Sequence, residues 1–199
     1  MIKLLIFDVG GVIIDFKEEY YMRYISDKLG LDMNKLSKAM GPMMVQMDYG
    51  RITTKAVEDR ISGRFHIPEI DLEWVAAYKK LSKLNRNVAS LVGRLSKRYK
   101  VALLSNISIS RYLESKRLFL DKIAYDRAFA SCYIHMRKPE RRIYVYALKE
   151  MNARPNETLF IDDKPENVEG ARNAGLHAIW FTSYLQLERD LKKYGIRTG

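Results

Sequence analysis

Residues 4–11 read LLIFDVGG: four apolar residues run directly into an aspartate, Asp8, and a pair of glycines follows closely. A continuous apolar run of this length predicts a strand that is buried on both faces, as in a parallel sheet. A core strand has no structural need for a carboxylate at its end, so Asp8 is a candidate functional residue. The run is far shorter than the roughly 20 apolar residues of a membrane span, and we expect no membrane segment.

Three later runs have the same form, an apolar stretch that ends in polar side chains. They are Val101–Leu104 before Ser105 and Asn106, Leu159–Ile161 before Asp162 and Asp163, and Ala178–Phe181 before Thr182. Amphipathic stretches of helical length, such as residues 141–151, lie between them, and this alternation predicts a parallel sheet. Because ligands bind at the carboxyl ends of such strands, we expect these polar residues to meet at one site.

Residues 16–85 contain no comparable strand. Helical patterns cover Glu18–Leu29, about residues 54–61, and a stretch from Asp71 through Leu81, whereas residues 40–42 (MGP) predict a turn. We therefore predict an α/β protein. Its core is a doubly wound parallel sheet of the Rossmann-like type, formed by residues 1–15 and 86–199, with an all-helical cap domain inserted at residues 16–85.

The composition narrows the class of protein. The chain has 199 residues, of which 47% are hydrophobic and 30% are charged, so neither disorder nor a coiled coil is expected. The single cysteine, Cys132, excludes an intramolecular disulfide and agrees with a reducing compartment, so the expected location is the cytoplasm.

The formal net charge is +11, which is typical of proteins that bind nucleic acid or attract smaller anions. Residues 86–199 hold 22 Lys and Arg against 12 Asp and Glu, so the excess lies in the predicted core and not in the cap. Part of it is a cluster around Lys138, formed with Arg137, Arg141 and Arg142. This placement favours a small anionic metabolite as the partner, and nucleic acid is not expected.

Four motifs together resemble the haloacid dehalogenase superfamily, and they occur in its order along the whole chain. They are FDVGGV at residues 7–12, Ser105-Asn106, MRKPE at residues 136–140, and FIDD at residues 160–163 with Asn167 four residues on. The likeness is greatest to the small-molecule phosphatases of that superfamily, notably sugar-phosphate phosphatases with an Asp-x-Gly first motif. It implies the sheet and the helical cap already predicted.

The resemblance also implies roles for individual residues. Asp8 would attack phosphorus and form an aspartyl-phosphate, while Ser105, the backbone N–H of Asn106 and the Lys138 ammonium would bind the phosphoryl oxygens. Mg²⁺ would be held by Asp8, the Gly10 carbonyl and one acid of the pair Asp162 and Asp163, of which Asp163 aligns better with the family's metal ligand.

One position departs from the family. Most phosphatases of the superfamily carry a second aspartate where this chain has Gly10, and that residue protonates the leaving group. Its absence predicts a slow enzyme, a substrate with a good leaving group, or an acid from elsewhere, such as Asp15 or a cap tyrosine. Four cap residues are candidates for substrate selection, although side chains of this kind are more often core: Met43, Met44, Met47 and Tyr49.

The favoured function is a Mg²⁺-dependent phosphatase that acts on a small phosphorylated metabolite, such as a sugar phosphate, through phospho-Asp8. Two alternatives stay open. A metal-independent 2-haloacid dehalogenase also uses an aspartate nucleophile, although the pair Asp162 and Asp163 would then have no cation to hold. A catalytically weak relative would bind nucleic acid or a protein through the basic surface.

Overall fold

The structure is a computed structural model that describes residues 1–67 and 74–198. Its strands are β1 Leu4–Phe7, β2 Ile14–Asp15, β3 Lys83–Leu84, β4 Lys100–Ser105, β5 Arg127–Ala130, β6 Thr158–Asp162 and β7 His177–Trp180. Its α-helices are α1 Glu18–Leu29, α2 Met33–Asp48, α3 Thr54–Phe65, α4 Trp74–Leu81, α5 Arg86–Leu95, α6 Ile109–Leu118, α7 Ser131–Ile134, α8 Arg141–Glu150, α9 Pro165–Asn173 and α10 Tyr184–Lys193. Among these helices, none has the length and apolar character that a membrane span requires.

Five strands form a parallel sheet in the order β5-β4-β1-β6-β7. The first strand is central, and the chain builds outward from it on both sides, so the predicted doubly wound α/β class is confirmed. Phe7 pairs with Leu103 of β4 and with Ile161 of β6. This register places the residues that follow β1, β4 and β6 at the same edge of the sheet.

Side chains of β1 alternate between two apolar layers. Leu5 and Phe7 pack in the layer that contains residues of α5 and α10, whereas Leu4 and Ile6 pack in the layer of α8 and α9. All four are buried, because helices cover both faces of the sheet. This two-sided burial explains why the strand is a continuous apolar run.

Helices α1 to α4 form a separate helical unit with its own apolar cluster, which includes Tyr21, Ile25, Leu36 and Ile61. The chain enters this unit after β2 and leaves it before β3, and these two short strands pair antiparallel through Ile14 and Leu84. We keep residues 16–85 as the proposed cap domain.

The sequence patterns predicted β1, β4, β6 and β7, missed β5 and the short strands β2 and β3, and placed a turn inside α2. The helix predicted at about residues 54–61 extends to Phe65. The four predicted strands lie within one residue of β1, β4, β6 and β7 at each end. Strand β5 was missed because it begins with exposed Arg127 and has only two buried residues. The helix start predicted at Asp71 falls outside the described residues.

The turn predicted at residues 40–42 is wrong, because these residues lie inside α2. Pro42 cannot donate the helical hydrogen bond expected at its position, which favours a break. Met40, Met44 and Met47 nevertheless lie on one face of α2 and are buried in the cluster of the helical unit. Their burial offsets the lost hydrogen bond, and the helix continues through the proline.

Candidate active site

Asp8 lies at the centre of the sheet edge, directly after β1. Its backbone N–H donates to the Ile161 carbonyl oxygen at 2.8 Å, which continues the ladder to β6, and only 5% of the residue is exposed. The turn that follows needs glycine at one position. Gly11 has a φ of +84°, and a Cβ there would lie 2.2 Å from Oδ2 of Asp163. The glycine therefore lets the Asp8 turn approach the carboxylate beyond β6.

Lys138 lies opposite Asp8, in the loop before α8, and its side chain is 1% exposed. The ammonium donates to Oδ1 of Asp8 at 2.7 Å, to Oδ2 of Asp162 at 2.7 Å and to the Leu104 carbonyl at 2.8 Å. An ammonium has three donors, so all of them are used. Lys138 is thus fixed between two carboxylates, and the Asn106 side chain holds its backbone.

The two acids after β6 have different surroundings. Asp162 is fully buried and accepts from Lys138, from the Lys164 N–H at 2.8 Å and from Nδ2 of Asn167 at 3.0 and 3.1 Å. Asp163 has a buried Oδ1 with no hydrogen-bond partner among the described residues. A buried polar atom without a partner is rare, because it loses its hydration without compensation. Asp163 therefore has an oxygen free to bind a cation, and Asp162 does not.

Oxygen atoms of Asp8, Asp162 and Asp163 lie within 4.8 Å of one another, and these residues meet the donor requirements of a hard divalent cation. The partnerless oxygen of Asp163 supports the fit. Gly10 lines the same cavity. Asp8, Gly10 and Asp163 are therefore the residues that would hold Mg²⁺.

Electrostatics at this edge also favour a cation. Burial raises the pKa of Asp8 to about 7; the Lys138 ammonium acts against this, and the Asp162 and Asp163 carboxylates add to it. Burial and the neighbouring Asp162 likewise raise the pKa of Asp163. Although burial by itself would lower the pKa of Lys138, the two carboxylates raise it above the ordinary value. Three carboxylates face one lysine, so a second positive charge would stabilise the site.

A cavity of about 240 Å³ opens over these groups. The sheet edge supplies Asp8, Gly10, Ser105, Asn106, Lys138 and Asp163, and the rest of the wall includes Phe16, Lys17, Glu18, Tyr78 and Arg111. The structure therefore brings together Asp8, Ser105, Asn106 and Asp163, and buried Asp162 joins them through Lys138. The expectation for Thr182 is wrong, because this residue lines a different pocket, beside Trp180. Ser105, the last residue of β4, is buried at the base of this group.

The four cap candidates do not line this cavity. Met44 and Met47 are buried in the apolar cluster of the helical unit, and half-buried Met43 packs against that cluster. The Tyr49 hydroxyl instead donates to Glu140. Methionines at helical spacing meet the need of a helix for an apolar face, which explains their position.

The rest of the cavity wall includes residues that the sequence patterns did not single out as site residues. Phe16 and Glu18 lie where the chain enters the helical unit, and Tyr78 lies on α4. The rings of Phe16 and Tyr78 are 5.0 Å apart. The one signal in the sequence for these residues was that Phe16 and Glu18 lie shortly after the first motif. Asp15 is exposed and does not line the cavity.

Comparisons with known proteins agree with this arrangement. The family description of haloacid dehalogenase-like hydrolases matches residues 2–175. Sesquiterpene phosphatase astK of Aspergillus oryzae is 24% identical over 96% of the chain and 95% of its own length. D-ribitol-5-phosphate phosphatase of Bacteroides thetaiotaomicron is 25% identical over 88% of the chain and 89% of its own length.

The fold has close structural counterparts. A haloacid dehalogenase family enzyme of Bacteroides thetaiotaomicron, solved in complex with magnesium and inorganic phosphate, superposes with a TM-score of 0.80. The match covers 94% of this chain and 99% of the other, at 22% sequence identity. At that identity the likeness establishes the shared fold.

Proposed function

The chain belongs to the haloacid dehalogenase-like hydrolases, and from this we propose that it is a Mg²⁺-dependent phosphatase, acting on a small phosphorylated metabolite such as a sugar phosphate. The observation that carries the proposal is the placement of Asp8 against Lys138, beside the free carboxylate oxygen of Asp163. A nucleophile, a fixed positive charge and a cation site then share one cavity. The phosphatases among the similar proteins support the same reaction class.

The reaction would proceed in two displacements at phosphorus. A carboxylate oxygen of Asp8 attacks the phosphorus atom, the P–O bond to the leaving group breaks, and the leaving oxygen takes up a proton. Water then attacks the phosphorus of the aspartyl-phosphate, which releases inorganic phosphate and restores the Asp8 carboxylate. The sum consumes one water and yields an alcohol and phosphate.

Lys138 and the end of β4 would stabilise the transferring group. The Lys138 ammonium is fixed beside the Asp8 carboxylate, so its charge is in place before the reaction starts. Ser105 and the Asn106 N–H would donate to phosphoryl oxygens from the base of the cavity. Bound Mg²⁺ would supply positive charge that offsets the repulsion between the Asp8 carboxylate and the phosphate.

The leaving group would depart with limited help. Gly10 carries no acid, and among the cap tyrosines Tyr78 lines the cavity. Burial raises the pKa of Tyr78, so its phenol keeps its proton, and the hydroxyl lies 2.6 Å from Oγ of Ser115. We therefore expect the enzyme to favour good leaving groups, such as those of anomeric or acyl phosphates.

The size of the cavity supports a small substrate. Its volume of about 240 Å³ is below the roughly 300–1,000 Å³ of pockets for drug-sized ligands. A phosphate with a few carbon atoms fits such a volume, whereas a polymer would need an open groove. The cluster of Arg137, Arg141 and Arg142 beside Lys138 would raise the local concentration of such anions.

The test is phosphate release by purified protein with Mg²⁺, from p-nitrophenyl phosphate and a panel of metabolite phosphates. Asp8→Asn should abolish turnover, whereas Asp15→Asn, which changes an exposed carboxylate outside the cavity, should retain it. Absence of hydrolysis across the panel, or full activity of Asp8→Asn, would overturn the proposal. Chloride release from 2-chloropropionate without metal would instead establish a dehalogenase.

A further inference from the structure

A buried arginine at the cavity has no part in the chemistry above. Arg111 lies on α6 and lines the same cavity as Asp8, and only 9% of its side chain is exposed. Buried arginines normally have their donors satisfied, since an unpaired buried charge is unfavourable. The partners of Arg111 therefore indicate what its guanidinium can still bind.

Two sides of the guanidinium are held by the protein. Nη2 donates to Oδ1 of Asp48 at 3.3 Å, and Nε lies 3.5 Å from Oγ of Ser108. Asp48 ends α2 and is itself buried, and its Oδ2 accepts from Nε of Arg137 at 3.2 Å. One buried carboxylate from the helical unit thus lies between two guanidinium groups and sets the orientation of Arg111.

The remaining side, Nη1, makes no hydrogen bond to the described residues. Its nearest partner is Oε1 of Glu18 at 3.7 Å, an ion pair in which the Glu18 side chain is 49% exposed. An exposed pair at this distance contributes little, and Glu18 can turn toward solvent. Nη1 of Arg111 therefore keeps donors available at the cavity wall.

The Arg111 guanidinium stays positively charged. Burial by itself would lower the pKa of the guanidinium, but the carboxylates of Asp48 and Glu18 raise it above the ordinary value. The Phe16 ring lies 5.9 Å from the guanidinium carbon and covers another side. A charged, oriented donor group thus lines the cavity that also contains Asp8 and Lys138.

We propose that Arg111 binds a carboxylate on the leaving group, so that the enzyme prefers phosphorylated carboxylic acids to matching phosphorylated alcohols. This inference rests on the proposed phosphatase function. A carboxylate is favoured because Glu18 already presents one beside Nη1, and a substrate carboxylate can take its place. The guanidinium edge suits two parallel hydrogen bonds to such a group. The small cavity limits the distance between phosphate and carboxylate to a few carbons.

The experiment compares kcat/KM for 3-phosphoglycerate and glycerol 3-phosphate, which differ only in a carboxylate against a hydroxymethyl group. The native protein should favour 3-phosphoglycerate. Arg111→Met should reduce the ratio of the two kcat/KM values about 10- to 100-fold, the effect of losing hydrogen bonds to a charged group. Glu18→Gln should raise the ratio, because it removes the competing carboxylate.

The matched control is Arg189→Met, which removes an exposed arginine outside the cavity and should leave the ratio unchanged. Should Arg111→Met fail to fold by circular dichroism, the increase in Glu18→Gln decides the outcome. A native ratio near one, or a ratio that neither variant changes, would overturn the inference while the phosphatase function stands. Absence of phosphate release from both substrates and from p-nitrophenyl phosphate would overturn the function itself.

Discussion

Asn106 holds the backbone of Lys138 by two hydrogen bonds that close a ring. Nδ2 of Asn106 donates to the Lys138 carbonyl oxygen at 2.9 Å, and the Lys138 N–H donates to Oδ1 of Asn106 at 2.9 Å. The Asn106 side chain thereby makes the two hydrogen bonds to the Lys138 backbone that a neighbouring strand would make. These bonds join the end of β4 to the loop before α8. Because the Lys138 ammonium lies between Asp8 and Asp162, Asn106 sets where that charge is placed.

Asn106→Ala should therefore lower kcat more than it raises KM, by about 10-fold, because the charge beside the Asp8 carboxylate is no longer fixed. Steady-state kinetics on p-nitrophenyl phosphate measures both constants. Asn85→Ala is the matched control: Asn85 caps α5 through the Val88 N–H at 3.2 Å, so its loss should lower stability by about 1 kcal/mol and leave kcat unchanged. Equal kcat values in Asn106→Ala and the native protein would refute the role of the ring.

Lys138→Met should lower the free energy of unfolding by about 3–5 kcal/mol, because Asp8 and Asp162 lose the cation between them. Lys3→Met is the comparison, since Lys3 pairs with Glu157 at the same 2.7 Å but is 67% exposed. That change should remove less than about 1 kcal/mol. Urea denaturation gives both values. Similar losses in the two variants would show that the buried Lys138 ion pairs stabilise the fold no more than an exposed pair does.

Gly10→Asp should restore a proton donor at the position where most superfamily phosphatases carry one. A Cβ at Gly10 meets no atom within 4 Å, so the backbone position admits a side chain at its first atom. The gain should approach the roughly 10²-fold of general acid catalysis for an alkyl phosphate and be small for p-nitrophenyl phosphate, whose leaving group needs no proton. Equal gains on both substrates would argue against proton donation.

Gly11→Ala should abolish activity, although it adds a smaller group at the neighbouring position. Its Cβ would lie 2.2 Å from the Asp163 carboxylate, and its φ of +84° is unfavourable for alanine. Activity and thermal unfolding of the variant measure both effects. A fully active Gly11→Ala protein would show that the turn adapts and that the Asp163 position is not fixed by it.

Addition of Mg²⁺ should raise the thermal midpoint, because a cation bound to the folded state stabilises it by mass action, by about 2.7 kcal/mol at 100 times Kd. Asp163→Asn should remove most of this increase, since Asp163 supplies the free oxygen. Asp15→Asn should retain it. Scanning fluorimetry with and without EDTA measures the shift; an undiminished shift in Asp163→Asn would place the cation elsewhere.

Cys132 should not react with Ellman's reagent at pH 8 in the native protein. The residue is 1% exposed, and burial raises the pKa of its thiol to about 11, so little thiolate is present. One thiol per chain should react after unfolding in guanidinium chloride. Fast reaction of the native protein would mean that the region around α7 opens readily.

The strand ends show how far the local pattern reaches. Asp8, Asn106 and Asp163 were predicted at one site because parallel strands end at one edge, and the structure brings them together. The strand-end pattern could not show which of Asp162 and Asp163 binds Lys138 and which has an oxygen free for a cation. That difference depends on Lys138, Lys164 and Asn167, whose hydrogen bonds to Asp162 form only when two loops meet.

The sequence by itself determined the sheet, its helical insertion and the set of residues at the strand ends, because apolar periodicity and strand direction are local properties of the chain. Only the tertiary structure decided which other side chains line the cavity at Asp8. Met44 and Met47 lie in the apolar cluster of the helical unit. Arg111, whose guanidinium donates to Asp48 of that unit, lines the cavity. These positions depend on how segments that are distant in sequence pack together, and a local sequence pattern carries no information about that packing.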